Sequence, residues 1–412
     1  MSASRQRLRL ALLRAFAGLS SPLRPKRAPA FPGAPRILLI RPDHIGDLLF
    51  ATPALRVLRK AFPDAHLACM IGPWGKAVLE HNPHLDQIIV CEFPAFTRKP
   101  KASLLSPYRT LQTWAVRLRS LRFDTAVVLR FDHWWGALLT YLAGIPRRVG
   151  YDIPECRPFL TQAVPYASQR HEVQQNLTLV KRAVHSRRGK AFADKSHTEA
   201  CLALDENVHP GHEVGRECLA PTEFPVLAVD QEYITGYLAQ RGVAAEQNLV
   251  AVHPGAGAPV KLWRPEAWAQ VADAIADRWQ ARIVITSSRD ELDLAWSVYA
   301  RMHSDAIVAA GDTTLGQLAA LFQRCRLVMG PDCGPLHLAV ATGTPTVHLY
   351  GPVDPRKFGP WGDPEKHRVL TSDRECIPCN RLDYSSQELP SHPCVREITT
   401  EAVLGAAARL LE

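Results

Sequence analysis

The chain alternates short apolar runs with segments of helical length, and most runs end in Gly, Pro, Ser or Asp. Strands are predicted at 35–40, 65–72, 86–93 and 123–130, and again at 248–255, 281–288, 305–311, 325–332 and 344–352. Such runs suit strands that are buried on both faces, and strands separated by helices form parallel sheets. We therefore predict an α/β fold, with helices over about 47–61 and 264–279.

The length of the chain predicts more than one domain. Single hydrophobic cores rarely grow beyond about 250–300 residues, and this chain has 412. The strand–helix alternation restarts at residue 248 after a polar, irregular stretch. The predicted organisation is an N-terminal segment, a first domain, a linker, a second domain and a C-terminal helix, at 1–30, 35–222, 223–246, 247–395 and 396–412.

The N-terminal segment 1–30 carries seven basic residues and no acidic ones. On a helix, Leu8, Leu12, Ala15, Phe16 and Leu19 would share one face, with Arg7 and Arg14 roughly opposite. Two interpretations stay open, a disordered tail and a basic amphipathic helix on an anionic membrane.

The charge of the remaining chain argues against nucleic-acid binding. Taking the seven basic residues of the N-terminal segment from the net charge of +9 leaves +2 for the rest. Nucleic-acid-binding domains present strongly basic surfaces. No apolar run approaches the roughly 20 residues of a membrane-spanning helix. A cytoplasmic protein is expected, either free or peripheral on the inner face of the cytoplasmic membrane.

Ten cysteines in a chain of this length are too few for a disulfide scaffold, so a reducing compartment is expected. Cys376 and Cys379 form a C-x-x-C pair, with His392 and Cys394 downstream. This pattern is compatible with zinc, but His392 and Cys394 are too close in sequence for easy tetrahedral coordination. Structural thiols or a disulfide are favoured, and no metal or cofactor is predicted for catalysis.

In the first half, Gly46-Asp47 lies where the first strand turns into a helix. No G-x-G-x-x-G follows the first strand of either half, which disfavours a dinucleotide-dependent dehydrogenase. Asp47 is either a helix N-cap or a carboxylate that faces a ligand.

In the second half, "HPGAGAPVKLW" places His253 at a strand end and Lys261 after small, turn-forming residues. Such a loop suits a phosphate, although it is not a P-loop. Asp332 follows another strand, Gly334 permits a tight turn, and His337 lies in the first turn of the next helix, whose N-terminus can bind an anion. Asp332 could instead be an N-cap, and His337 could simply pack.

Asp290 and Glu291 follow a third strand of this half, where a carboxylate can bind ribose hydroxyls or merely favour a helix start. Because ligands of open α/β sheets bind beyond the carboxyl ends of the strands, these features together predict a nucleoside diphosphate.

The segment after the strand at 123–130 has the polar and aromatic character of a sugar site. The candidates for acceptor binding are Arg130, Asp132, His133 and Trp134. Trp134 and Trp135 could also be core residues, and Arg147 and Arg148 could bind acceptor phosphates or face water.

Three motifs, "RPDHIGDLLFATPALRVL", "HPGAGAPVKLWRPEAWAQVADAI" and "GPDCGPLHLAVATGTPTVHLYGP", occur in this order. Together they resemble glycosyltransferase family 9, the ADP-heptose–lipopolysaccharide heptosyltransferases, over residues 35–405. The resemblance implies a GT-B architecture, with two Rossmann-like domains whose parallel sheets face a central cleft. It further implies inverting, metal-independent transfer.

The resemblance also implies roles for single residues. Asp47 matches the proposed general base, Lys261 the lysine on the donor phosphate, and Asp290, with Glu291 as a rival, an acid on the nucleoside. Asp332, Gly334 and His337 match the donor loop, in which Cys333 replaces the usual Ser or Thr. Arg264 stands where the family has Pro.

We expect transfer of a sugar, heptose if the donor is ADP-heptose, onto a lipopolysaccharide core or related glycan. Asp47 would take the proton of the attacking hydroxyl, and a single carboxylate suffices for one-step inversion. The alternatives are a nucleotide-sugar hydrolase or epimerase on the same scaffold, and a non-catalytic nucleotide-sugar-binding protein.

Overall fold

A computed structural model describes residues 3–20, 34–94, 96–97, 106–188 and 220–412 of the chain. These residues divide into two compact units. Unit 1 contains the described residues of 3–44 and 51–188, and unit 2 contains 45–50 and 220–412. Each unit has one six-stranded parallel sheet with helices around it, so the predicted α/β class is confirmed.

The strands of unit 1 are β1 Arg36–Arg41, β2 His66–Ile71, β3 Gln87–Val90, β4 Thr125–Val128, β5 Arg147–Tyr151 and β6 Gln162–Val164. Those of unit 2 are β7 Leu249–Val252, β8 Arg282–Ser287, β9 Ala306–Ala310, β10 Leu327–Pro331, β11 Thr346–Leu349 and β12 His367–Leu370. Each strand predicted from an apolar run is present.

The helices, in chain order, are α1 Ala3–Ser20, α2 Ile45–Leu49, α3 Thr52–Ala61, α4 Lys76–Leu79, α5 Ser106–Ser120, α6 Trp134–Leu142, α7 Glu172–Arg188, α8 Ala228–Ala239, α9 Pro265–Trp279, α10 Leu292–Tyr299, α11 Leu315–Arg324, α12 Gly334–Ala341, α13 Pro355–Phe358 and α14 Thr400–Leu411. None of the helices in the described part of the chain is long and apolar enough to cross a membrane.

Both sheets have the same strand order. Unit 1 is ordered β3-β2-β1-β4-β5-β6, and unit 2 is ordered β12-β11-β10-β7-β8-β9, which is the same topology read from the other edge. This is the order of the Rossmann fold, in which ligands bind where the direction of strand succession reverses. The reversal lies between β1 and β4 in unit 1, and between β7 and β10 in unit 2.

The central strands are buried on both faces, as their continuous apolar sequences predict. Residues 37–41 of β1 and all four residues of β7 are buried. Helices cover these strands from both sides, and the polar side chains are displaced to the strand ends. The candidate site residues follow those ends.

The single helix predicted over 47–61 is wrong, because the chain forms α2 and α3 instead. Pro53 lies in the first turn of α3, and its ring nitrogen cannot donate the hydrogen bond that would continue α2. The two helices also pack differently. Residues 45–50 belong to unit 2, although their sequence position falls in the predicted first domain.

The predicted linker 223–246 contains α8, which packs in unit 2. The Asp230 side chain lies so close to Gly316 of α11 that a Cβ atom there would approach a carboxylate oxygen to 2.3 Å. Residues 189–219, which belong to the predicted first domain at 35–222, lie outside the described residues. The predicted C-terminal helix corresponds to α14.

Within the basic segment 1–30, residues 3–20 form α1. Residues 21–30 of that segment lie outside the described residues, and the side chains of residues 1–8 are not described either. The predicted apolar face is therefore observed at Leu12, Ala15, Phe16 and Leu19 only.

Candidate functional site

The candidate donor residues of unit 2 meet at the reversal point of its sheet. His253 follows β7, and its backbone N–H donates to the carbonyl oxygen of Met329 in β10 at 2.8 Å. Asp332 follows β10 directly. Gly330 is required at this contact, since a Cβ there would lie 2.5 Å from the carbonyl oxygen of His253.

Lys261 reaches this point from the end of a short 3-10 helix, Pro259–Lys261. Its Nζ lies 2.6 Å from Oδ2 of Asp332, and both side chains are largely buried. Burial alone would raise the pKa of Asp332, but the neighbouring His337 ring and the Lys261 charge lower the pKa to about 2. Asp332 is therefore a carboxylate at neutral pH, and Lys261 has a fixed position beside it.

His337 lies in the first turn of α12, with Nε2 3.6 Å from Oδ1 of Asp332. Its Nδ1 is buried and has no hydrogen-bond partner among the described residues. Cys333, the N-cap residue of α12, makes no capping bond through its side chain. The start of α12 therefore combines the positive end of a helix with a buried polar atom that a ligand can satisfy.

The structure separates the two acids that follow β8. The side chain of Asp290 is exposed. Glu291 turns toward the loop after β7, where a Cβ on Gly255 would lie 2.4 Å from its Oε2, and it accepts a hydrogen bond from Ser288 Oγ at 2.8 Å. Of the two rivals, Glu291 faces the glycine loop that contains the candidate phosphate site.

His253 occupies a sheltered position in this site. Its Nδ1 lies 3.0 Å from Oγ1 of Thr286 in β8, and burial lowers its pKa to about 4. The ring is therefore neutral at physiological pH. The neutral ring can orient the loop after β7 through hydrogen bonds, but it does not supply a positive charge to an anion.

Asp47 lies on α2, which packs in unit 2 against the first turn of α12. A Cβ on Gly46 would lie 3.0 Å from Cδ2 of His337, and a Cβ on Gly334 would lie 3.0 Å from Cβ of Ile45. Phe50 meets the His337 ring edge to face at 4.7 Å. Glycines at 46 and 334 therefore permit close packing of the two helices, and Asp47 is half-buried next to the candidate donor loop.

In unit 1, the reversal point is occupied by a second network of charges. The carboxylate of Asp43, after β1, pairs with Arg130, after β4, and with Arg41 Nε at 2.7 Å. Arg41 is buried and also pairs with Glu172 of α7 at 2.7 Å. Burial would raise the pKa of Asp43, but the two arginines lower it.

The predicted acceptor residues follow β4, but they differ in access. Arg130 also pairs with Asp132, whose side chain is nearly half exposed. His133 is buried against Phe93 and Phe96, and burial lowers its pKa to about 4. Trp134 lies beneath the guanidinium group of Arg9 at 5.6 Å.

Two neighbouring side chains are structural. Trp135 is a core residue, and its indole N–H donates to the carbonyl oxygen of Pro107 at 3.2 Å. Arg148 is buried and donates to main-chain carbonyl oxygens, including that of Phe159 at 2.7 Å. The interpretation of Arg148 as a residue that faces water is wrong, because its buried guanidinium group donates to the main-chain carbonyl oxygens of Ile145, before β5, and Phe159, after it.

The C-terminal cysteines are free thiols. Cys376 and Cys379 are exposed, whereas Cys394 is buried against Gly351. Cys379 lies 3.6 Å from the hydroxyl of Tyr384, which stacks on His392. Among the described residues, no group of three or more His, Cys, Asp or Glu side chains is arranged to hold a metal ion.

Sequence reasoning missed Asp43, Arg41 and Glu172. A charged residue at the end of a fully apolar strand was the available signal, because a buried arginine requires acidic partners. The partner, Glu172, is 131 residues away, and no local pattern connects the two positions.

Comparisons with known proteins agree with this geometry. The sequence model of glycosyltransferase family 9 (heptosyltransferase) matches residues 113–389. Lipopolysaccharide heptosyltransferase 2 of Escherichia coli is 24% identical over 78% of this chain and 84% of its own. Lipooligosaccharide heptosyltransferase 2 of Haemophilus influenzae is 24% identical over 91% of this chain and 99% of its own.

Solved structures show the same fold. A family 9 glycosyltransferase of Veillonella parvula superposes with a TM-score of 0.71 at 24% identity, covering 93% of this chain and 99% of its own. The ADP-heptose lipopolysaccharide heptosyltransferase II of E. coli has a TM-score of 0.67 at 22% identity, covering 91% and 98%. An E. coli heptosyltransferase solved with ADP-2-deoxy-2-fluoro heptose has a TM-score of 0.60 at 18% identity, covering 90% and 99%. The predicted GT-B architecture is thereby confirmed.

Proposed function

Because the chain belongs to glycosyltransferase family 9, the heptosyltransferases, we propose that it transfers heptose from ADP-heptose to a lipopolysaccharide core or related glycan. Relatives named for that reaction match most of the chain, and a similar structure was solved with a fluorinated ADP-heptose. The proposal extends the observed family and fold to a donor, an acceptor and a mechanism.

The donor diphosphate would bind at the start of α12. Two groups support this assignment: the ammonium of Lys261 and the first N–H groups of α12. Each can stabilise negative charge that develops on a departing diphosphate. Glu291, which lies over Gly255, would accept hydrogen bonds from the ribose hydroxyls.

Asp47 would act as the general base. The observation that carries the proposal is the packing of α2 against the first turn of α12, which keeps the Asp47 backbone next to the candidate diphosphate site. Asp47 would take the proton of the acceptor hydroxyl as its oxygen attacks the anomeric carbon. Attack from the face opposite the diphosphate would invert the configuration.

We also propose that this step is metal-independent. The charge on the leaving diphosphate would be stabilised by Lys261 and by the helix N-terminus. Asp332 keeps Lys261 oriented, and its carboxylate lies in direct contact with the ammonium group rather than in solvent.

The acceptor would contact unit 1 at the end of β4. Arg130 and Asp132 are the most exposed candidates there. His133 is buried, so it would support these side chains and would not contact the acceptor itself. A lipopolysaccharide acceptor would place the protein at the cytoplasmic face of the inner membrane.

The test compares the wild type with Asp47→Asn. The variant should bind ADP-heptose with nearly unchanged affinity in calorimetry and lose transfer to a core acceptor, by about 10²–10⁴-fold for removal of a general base. Asp293→Asn is the matched control, because Asp293 is an exposed acid in the first turn of α10. Normal transfer by the Asp47 variant would refute the assignment.

The same assay separates the alternative activities. Free heptose or an epimer formed from ADP-heptose without acceptor would indicate a hydrolase or an epimerase. Tight donor binding with no turnover on any acceptor would indicate a binding protein. Nuclear magnetic resonance of the anomeric proton in the product reports whether configuration is inverted, and transfer in excess chelator reports metal independence.

A further inference from the structure

Helix α1 has two sets of apolar residues, and within the described part of the chain only one of them is buried against the protein. Leu13 and Ala17 are buried in the core of unit 1. In contrast, Leu12 is 62% exposed, Phe16 43% and Leu19 83%. Residues at spacings of four and three lie on one side of a helix, so the exposed three form a continuous apolar stripe.

The orientation of this stripe is fixed by contacts at its edge and by the burial of Leu13 and Ala17. Arg9 Nη2 pairs with Glu155 Oε1 at 3.3 Å, and the same guanidinium group lies over the Trp134 ring. Phe16 touches Tyr141 edge to face at 6.5 Å while much of its ring remains exposed. The helix is therefore docked on α6 and its surroundings with the stripe turned outward.

The charge around α1 selects the kind of surface that the stripe can enter. The segment 1–30 has seven basic residues and no acidic one. Arg14 is exposed and makes no ion pair with any residue in the described part of the chain. Exposed apolar side chains on a basic, acid-free segment match the interface of an anionic lipid bilayer.

We propose that α1 docks the protein on an anionic membrane surface, with Leu12, Phe16 and Leu19 entering the lipid interface. A second copy of the chain is a poorer occupant, because pairing two α1 stripes would bring two acid-free basic segments together. The inference rests on the proposed function only in that a lipid-linked acceptor would be found at the same surface.

The experiment measures co-sedimentation of the full chain with vesicles of phosphatidylethanolamine and phosphatidylglycerol, and with vesicles of phosphatidylcholine alone. The wild type should bind the anionic vesicles and should not bind the neutral ones, and added salt should weaken binding. The double variant Leu12→Glu, Leu19→Glu should lower the partition coefficient by about tenfold or more.

Val116→Glu is the matched control, because Val116 is 64% exposed on α5, close to the value for Leu12. It should bind vesicles like the wild type. Equal binding by all three proteins would overturn the proposal, and so would equal binding to neutral vesicles. A dimer in sedimentation velocity that the Leu12/Leu19 variant abolishes, without vesicle binding, would instead identify a second copy as the occupant.

Transfer to a water-soluble, lipid-free core acceptor separates this inference from the proposed function. The Leu12/Leu19 variant should keep wild-type turnover on that acceptor. Absent turnover in the wild type, with vesicle binding intact, would contradict the proposed function alone. Turnover without vesicle binding would contradict the membrane-docking role of α1 alone.

Discussion

The ammonium group of Lys261 lies 2.6 Å from Oδ2 of Asp332, so the cation proposed to bind the donor is already paired in the folded protein. The pair joins the loop after β7 to the end of β10, the two strands at the reversal point of the sheet. Lys261 and Asp332 are both largely buried, so neither side chain has to leave bulk water when a diphosphate binds. The carboxylate also holds the lysine in one place, which reduces the ordering required on binding.

Lys261→Gln should weaken donor binding without abolishing the fold. Hydrogen bonds to charged groups contribute about 1.5–3 kcal/mol, so the dissociation constant for ADP-heptose or ADP should rise by about 10- to 100-fold. Isothermal titration calorimetry measures this directly. The variant should also lose stability, because Asp332 stays buried without its cation.

Lys366→Gln provides the control for Lys261, since Lys366 is an exposed lysine of the same unit. Its donor affinity and melting temperature should match those of the wild type. An unchanged donor affinity in Lys261→Gln would show that the ion pair with Asp332 is structural only.

The two acids after β8 should differ in their effect on donor binding. Glu291→Gln should raise the dissociation constant for ADP-heptose by about tenfold, because its carboxylate faces the glycine loop through Gly255. Asp290→Asn should change it little, since that side chain is exposed. If Asp290→Asn weakened donor binding and Glu291→Gln did not, the nucleoside contact would be assigned to Asp290 instead.

Unit 2 should lose stability as the pH falls below about 6.5. Burial lowers the pKa values of His253 and His367 to about 4. Between about pH 4 and pH 6.5, these histidines take up protons in the unfolded chain but not in the folded protein. Acid therefore favours unfolding. Each histidine should account for about 1–1.5 kcal/mol of lost stability between pH 7.5 and 5.5.

His367→Asn tests this by urea unfolding at both pH values. Asn can retain a hydrogen bond to Thr346, which contacts His367 Nδ1 at 2.8 Å, but it does not titrate. The variant should therefore lose less stability on acidification than the wild type. His303→Asn, at an exposed site, should leave the pH dependence unchanged, and equal slopes for all three proteins would contradict the explanation.

Gly46→Val should damage both stability and transfer. A Cβ at this position would already lie 3.0 Å from the His337 ring, and a branched side chain needs more room. Overpacking of this kind costs about 1–3 kcal/mol. Because the strain displaces α2, the rate of transfer should fall along with the melting temperature.

Gly236→Val makes the same change in α8, where an added Cβ meets nothing within 4 Å. Its stability should stay within about 0.5 kcal/mol of the wild type. A Gly46 variant as stable and active as the Gly236 variant would show that α2 does not need its close contact with α12.

The fold was largely predictable because its central strands are buried on both faces. Such strands appear in the sequence as uninterrupted apolar runs, and β1, β7 and β10 could be recognised from composition alone. The helix over 47–61 was predicted as one element because its apolar periodicity continues across Pro53. Pro53 is the sequence signal for the break, and the tertiary structure adds that the two parts pack in different units.

The site was predictable as a set of residue types at strand ends. His253, Lys261 and Asp332 were identified from their positions after apolar runs, and the topology brings them to one point of the sheet. The choice between Asp290 and Glu291 was not predictable from the sequence. Adjacent residues in a short 3-10 helix point in different directions, and the path of the loop after β7 determines which of the two acids contacts that loop.

By itself, then, the sequence determined the class of fold, the order of its strands along the chain and the inventory of charged groups at the strand ends. The tertiary structure alone decided which of these charges pair, since Arg41 and Glu172, or Lys261 and Asp332, are separated by many tens of residues. It also decided that α2 packs on α12. Hydrophobic periodicity acts locally, whereas the pairing of buried charges depends on distances that exist only after the sheets have formed.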